Sequence, residues 1–188
     1  MPHRAFIGLG TNLGDRAANY REAVQRIAAL LPTTRVVRQS SVYETEPVGD
    51  IKGAFINGVI EVETELAPDA LMRRLLAIER VMGRKRVRGK KPASSRAKYR
   101  PRIIDLDLLF FDNEIIDTRT LKVPHPRLHE RRFVLAPMSE LAPALIHPKL
   151  NASISEMLAA LKSPHRVTLA RADLLRAPSA AGGGVASR

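Results

Sequence analysis

Between Ile103 and Phe111 the chain sets seven apolar residues around two aspartates, Asp105 and Asp107. An apolar run of this length reads as a strand that a core must cover. Its period of two sends both carboxylates to one side and Ile104, Leu106, Leu108 and Phe110 to the other. One strand buries nothing alone, so the remaining segments must supply its sheet and its helices.

Residues 4–9 read as a buried strand broken by Gly8, Gly10 and Gly14, with Asp15 placed to cap a helix that stops at Pro32. Val36–Tyr43 and Ala54–Glu65 read as strands, and in the second Phe55, Asn57, Val59 and Glu61 share a face. Pro68 and Asp69 open a second helix with Leu71, Leu75, Ile78 and Met82 in one stripe and Gly83 at its end. Arg127–Leu141 and Ser153–Leu161 read as further short helices. The order β-α-β-β-α-β predicts an α+β fold of the ferredoxin-like type: an antiparallel sheet, helices on one face, and extra C-terminal helices. The opposite face is then expected to be free for a ligand. The expected domain is 1–163, with 164–188 as a flexible tail that ends in Gly-Gly-Gly-Val-Ala-Ser-Arg.

The chain has no cysteine, which excludes disulfides, thiolate nucleophiles and cysteine zinc sites. No apolar run approaches the roughly 20 residues of a membrane helix. A cytoplasmic monomer with no membrane partner is the expectation. The net charge of +12 is concentrated: ten of the 31 lysines and arginines lie from Arg84 to Arg102, where there is no acid, and the rest nearly balance the 19 acids. A positive field in one loop suits a compact polyanion such as a nucleoside triphosphate better than a nucleic-acid stripe. A solvated charge run is the plain alternative.

Two carboxylates side by side raise each other's pKa unless a cation sits between them, and Mg²⁺ is the natural partner for such hard oxygens. The competing reading pairs them with nearby arginines. Arg84 and Arg86 close the preceding helix, Arg102 lies just before the pair, and His125 and Arg131 follow. Carboxylate and metal on one side with guanidinium on the other is what phosphoryl transfer needs. His125, between Pro124 and Pro126, is set on a stiff loop. The Gly8-x-Gly10-x-x-x-Gly14 spacing matches neither a dinucleotide fingerprint nor a P-loop and reads as a structural turn.

Read together, Ile7-Gly8-Leu9-Gly10-Thr11-Asn12-Leu13-Gly14, Ser40-Ser41-Val42-Tyr43-Glu44-Thr45, Phe55-Ile56-Asn57, Ile78-Glu79 with Gly83-Arg84, Pro101-Arg102-Ile103-Ile104-Asp105-Leu106-Asp107 and Val123-Pro124-His125-Pro126 resemble the 6-hydroxymethyl-7,8-dihydropterin pyrophosphokinases. The likeness runs from about residue 4 to 150 with the motifs in order. It implies transfer of diphosphate from ATP to a hydroxymethyl dihydropterin in folate biosynthesis. Arg84, Arg102, Asp105 and Asp107 would form the catalytic set, with two Mg²⁺ on the aspartates. Glu79, Arg84, Arg102, His125 and Arg131 would contact ATP. Thr45, Val48 and Asn57 would meet the pterin edge, and Phe55 and Phe133 would sandwich its ring, although ordinary core is the reading these phenylalanines invite by themselves. The loop from Arg84 to Arg102 is longer and more basic than in compact members, so no contact is carried over for residues 87–100.

Overall fold

The computed structural model describes residues 1–30, 33–46, 53–83, 102–162 and 166–170. Arg84, Val48, most of the basic segment and the residues after 170 lie outside the described residues.

In chain order the elements are β1 (His3–Thr11), α1 (Arg16–Leu30), β2 (Thr34–Gln39), β3 (Tyr43–Thr45), β4 (Phe55–Thr64), α2 (Pro68–Val81) and β5 (Asp105–Phe111). There follow β6 (Ile116–Asp117), β7 (Lys122–Val123), a 3-10 turn (Leu128–Glu130) and α3 (Arg132–Leu141). Last come β8 (Ile146–His147), β9 (Ala152–Ser153), α4 (Ile154–Ala160) and β10 (Val167–Leu169). The main sheet runs β10-β3-β4-β1-β5, with β2 also on β4, and every pairing in it is antiparallel. The small hairpin pairs β6-β7 and β8-β9 stand apart. This is the mixed α/β, antiparallel class expected.

Local chemistry explains the boundaries. The Asp15 carboxylate accepts the Ala18 N–H at 2.9 Å and so starts α1. Pro68 opens α2, and Gly83 ends it at φ +94°, a left-handed turn in which a side chain would be strained. Ser153 and Glu156 form a reciprocal capping box on α4.

The sheet has a core on each face. Tyr20, Ala23 and Ile27 of α1, Leu71, Leu75 and Ile78 of α2, and Met82 just after it cover Ile7, Leu9, Ile56, Ile60, Leu106 and Leu108. On the other face Leu135, Met138 and Leu141 of α3 and Ile154 and Met157 of α4 cover Phe6, Val59, Leu109 and Phe110. That face is therefore not free, as expected from sequence, but half roofed. The C-terminal helices carry apolar stripes that need a partner, and this face is the one left.

Three further expectations are corrected. Phe110 faces α3 rather than sharing the α2 side with Leu106, because β5 bulges: Ile7 pairs with Leu108 and Phe6 with Phe110, so Leu109 is skipped and the alternation flips. The strand β1 does not break at Gly8 but runs through Gly10 to Thr11, and only Gly14, at φ +62°, makes a turn. Within the segment read as a tail from 164 onward, Val167–Leu169 join the sheet against β3.

His147 is 4% exposed, and its Nδ1 accepts the Lys149 and Leu150 N–H groups at 3.2 Å. Burial holds this imidazole below its usual range. The unfolded chain therefore takes up a proton that the folded chain refuses, and stability falls as pH drops through about 6.5. Between about pH 7.5 and about 5.5 the wild type should lose more of its urea midpoint than His147→Gln. Equal losses would place the acid sensitivity elsewhere.

Candidate functional site

A pocket opens on the half of the α3 face that the roof leaves uncovered. Its floor is made by three strands: Gly8 and Gly10 of β1, Asn57 and Val59 of β4, and Asp105 and Asp107 of β5. Register aligns these residues in two rows. Asn57, Gly10 and Asp105 are cross-strand neighbours, and so are Val59, Gly8 and Asp107. Cross-strand neighbours share a face, so both carboxylates and the Asn57 amide point into one space. The glycines leave that space clear between them. A Cβ at Gly10 would come within 3.1 Å of Asn57 Oδ1.

At one end stand the charged groups. The Arg102 guanidinium donates to the Asp105 carboxylate. The Arg102 backbone is held by Asn12, whose Oδ1 accepts its N–H at 2.7 Å while the Asn12 N–H donates to its carbonyl at 3.1 Å. Arg131 Nη1 donates to Asp107 Oδ2 at 3.4 Å. Arg131 can reach because the helix read over Arg127–Leu141 is split: this residue is extended, at φ −117° and ψ 100°, between the 3-10 turn and α3. His125 Nε2 lies 3.9 Å from Asp107 Oδ2, and Nδ1 accepts the Arg127 N–H at 3.2 Å. In the neutral ring the proton is then on Nε2, facing the pocket.

Desolvation first, and then the Asp105 charge, raise the Asp107 pKa, while His125, Arg131 and Arg102 pull it down by less. Burial lowers the His125 pKa. Burial is thus the first reason that the Asp107 carboxylate is pushed upward, and the adjoining Asp105 charge the second. The reading of the aspartates as arginine-paired acids describes their partners here, Arg102 on Asp105 and Arg131 on Asp107.

At the other end Asn57 Nδ2 donates to Thr45 Oγ1 at 2.8 Å, so the amide oxygen is turned away from that bond. Phe55 and Phe133 line the pocket and are half-buried rather than core, and the Arg131 guanidinium lies 5.7 Å from the Phe133 ring. Of the residues picked out in sequence, Thr45, Phe55, Asn57, Arg102, Asp105, Asp107, Arg131 and Phe133 line the pocket, and His125 stands beside Asp107.

Glu79 does not join them. It is fully buried, and its Oε1 accepts the Leu106 N–H at 2.9 Å. Leu106 faces α2, so the carboxylate ties the outer edge of β5 to that helix and stands behind the two aspartates. Among the lining residues that were not foreseen are Gly8 and Gly10, read as a turn, and the charged Glu46 and Arg127. Arg127 follows the Pro-His-Pro motif directly, which was the available signal.

Residues 6–143 match the family model for 7,8-dihydro-6-hydroxymethylpterin-pyrophosphokinase. A 2-amino-4-hydroxy-6-hydroxymethyldihydropteridine pyrophosphokinase of Methylorubrum extorquens is 40% identical over 144 residues, 76% of this chain and 85% of that protein. The same enzyme of Bacillus subtilis is 41% identical over 142 residues, 75% of this chain and 79% of its own. Among solved structures, an HPPK-DHPS chain in complex with substrates superposes with a TM-score of 0.64 at 15% identity, over 85% of this chain and 43% of that one. The Plasmodium falciparum wild-type HPPK-DHPS with pteroate gives 0.62 over 85% and 44%. This chain spans less than half of those longer chains, and at such identity they speak for the fold alone. With the family model spanning most of the chain and relatives this similar along most of their own length, the chain belongs to the 7,8-dihydro-6-hydroxymethylpterin-pyrophosphokinase family.

Proposed function

We propose that the pocket over β1, β4 and β5 holds a pterin against Asn57 and Thr45 and the triphosphate of ATP against the β5 aspartates and the arginines. The family reaction transfers pyrophosphate from ATP to hydroxymethyldihydropterin in folate biosynthesis. One observation carries the assignment of its parts: Asn57, Gly10 and Asp105 lie in one row across three strands. Two strand spacings separate the amide from the carboxylate by about 10 Å. A bicyclic ring lying over the glycines would present its hydroxymethyl group at the charged end.

In this reading the hydroxymethyl oxygen attacks the β-phosphorus, the bond from that phosphorus to the α-phosphate oxygen breaks, AMP leaves, and the hydroxyl proton passes to water. The donor set fits Mg²⁺: two adjacent carboxylates are hard oxygen ligands, and so few protein ligands leave room for phosphate and water. Asp105 and Asp107 would hold two ions, which would supply neutralisation of phosphate charge. Arg102 and Arg131, released from the aspartates, then turn to phosphate oxygens, where their planar forks grip best. His125 donates from Nε2 to a phosphate oxygen, and Arg84 adds a further guanidinium. Phe55 and Phe133 stack on the ring and Val48 closes its edge. Glu79 acts through the backbone of β5 rather than on the nucleotide. The strand order β3-β4-β1-β5 under α1 and α2 is read as the ferredoxin-like plan.

Incubation with ATP, Mg²⁺ and the hydroxymethyl dihydropterin should release AMP and the pterin diphosphate. Release of free diphosphate instead would mark a nucleotidyltransferase. An RNA-binding surface is disfavoured because Phe6, the phenylalanine of β1, is 1% exposed beneath α3 and offers no stacking face. Gly10→Ala should raise the pterin KM about tenfold by displacing Asn57 from its ligand, with the ATP KM little changed. An unchanged pterin KM would remove Asn57 from the recognition site.

A further inference from the structure

We propose that β10 belongs to the acceptor-binding apparatus: by pairing with the outer edge of β3 it holds Thr45, and through Thr45 the Asn57 amide, in position for the pterin. This rests on the reading of the pocket above. It goes beyond it by giving a role in substrate recognition to a segment outside the matched residues 6–143.

The strand β3 is three residues long and carries Thr45 at its end. On its inner side β4 pairs Tyr43 with Asn57 and Thr45 with Phe55. On its outer side Val167 faces Thr45, Thr168 faces Glu44 and Leu169 faces Tyr43, and the Ala170 N–H donates to the Val42 carbonyl at 2.8 Å. Every residue of β3 is thus paired on both edges.

Side-chain burial does not explain why β10 is there. Leu169 is 64% exposed, Thr168 is exposed, and only Ala170 touches the margin of the main core. What β10 contributes is a backbone ladder, which fixes position while adding little apolar area. The other ties of β3 lie before Thr45. Arg16 Nη1 donates to Glu44 Oε1 at 2.7 Å and to the Ala54 carbonyl at 2.8 Å, and the Tyr43 hydroxyl bonds Glu140. At Thr45 itself the supports are β4, the Asn57 bond and Val167. Of the phosphate-end residues, Asp105 and Asp107 stand on β5, at the far edge of the sheet and four strand spacings (roughly 19 Å) from β10. A disturbance of β10 should therefore be felt at the pterin end alone.

Three variants test this: a chain ending at Ala170, a chain ending at Lys162, and the full chain with Thr168→Pro. The Thr168 N–H points to β3, as that of Ala170 does two residues on, and proline removes it. Direct pterin binding by titration calorimetry is measured beside both KM values, kcat and Tm. The chain ending at Ala170 should match the full chain. The chain ending at Lys162 and Thr168→Pro should bind pterin about tenfold more weakly, with the ATP KM within about twofold and only a small drop in Tm. Unchanged pterin affinity overturns the proposal, and so does a collapse of both KM values together with Tm. Because pterin binding is read directly, a full chain that binds pterin but releases no AMP would count against the reaction and still decide the role of β10.

Discussion

Replacing Asp107 by alanine should lower kcat/KM by about 10²–10³-fold, the scale set by losing one well-placed electrostatic contact to a transferring group. Asp107 sits at the base of the pocket, within reach of Asp105, His125 and Arg131. Without it the proposed metal-binding pair is halved, and Arg131 and His125 lose the carboxylate beside them. The loss should fall on turnover rather than on folding. Burial and Asp105 raise the Asp107 pKa, so the folded state favours its neutral form and its ionised form weakens the fold above the usual carboxylate range. The same-shaped neutral variant Asp107→Asn should therefore be as inactive and melt no lower than the wild type. Normal turnover of Asp107→Ala at saturating Mg²⁺ would show that the metal is held elsewhere.

Gly58→Ala should be the most damaging small substitution for stability. Gly58 lies on β4 and turns toward α1, where Tyr20 is fully buried. A Cβ there would lie 3.0 Å from Tyr20 Cζ and well inside contact distance of its hydroxyl. The ring cannot retreat: Ala23 and Ile27 bury the same helix face, and Arg16 pins the helix start to Glu44 and Ala54. Overpacking of this kind costs about 3 kcal/mol, a drop in Tm of roughly 10 °C for a chain of this size. Adding Tyr20→Phe should recover part of the loss, since the hydroxyl conflict disappears while the Cζ contact stays tight. A Gly58→Ala chain that melts like the wild type would mean that α1 can shift outward at little cost.

The elements most legible in the sequence were those whose signals are local. Pro68, the Leu71-Leu75-Ile78 stripe and Gly83 delimit α2 within a residue or two, because a helix is specified by its own caps and its own face. The apolar run around Asp105 and Asp107 was a strand because nothing else accommodates it. What escaped was decided at a distance. Val167–Leu169 carry no alternation worth reading, and they are a strand because the open edge of β3 accepts them. The skipped residue Leu109, which turns Phe110 toward α3, follows from the match between two strands and not from either one. The break that frees Arg131 from a helix arises in the same way, where the chain must bend over the pocket before α3 can pack.

By itself the sequence determined which side chains this protein can bring to a reaction: paired aspartates on one strand face, arginines and a histidine around them, and an amide with two phenylalanines on the segments before and after. Only the tertiary structure decided that two β1 glycines lie between the aspartates and that amide, and that Glu79 faces backward into the core. The reason is physical. A residue's type and its direction within a strand are set locally, whereas the space left beside it depends on which strands become its neighbours.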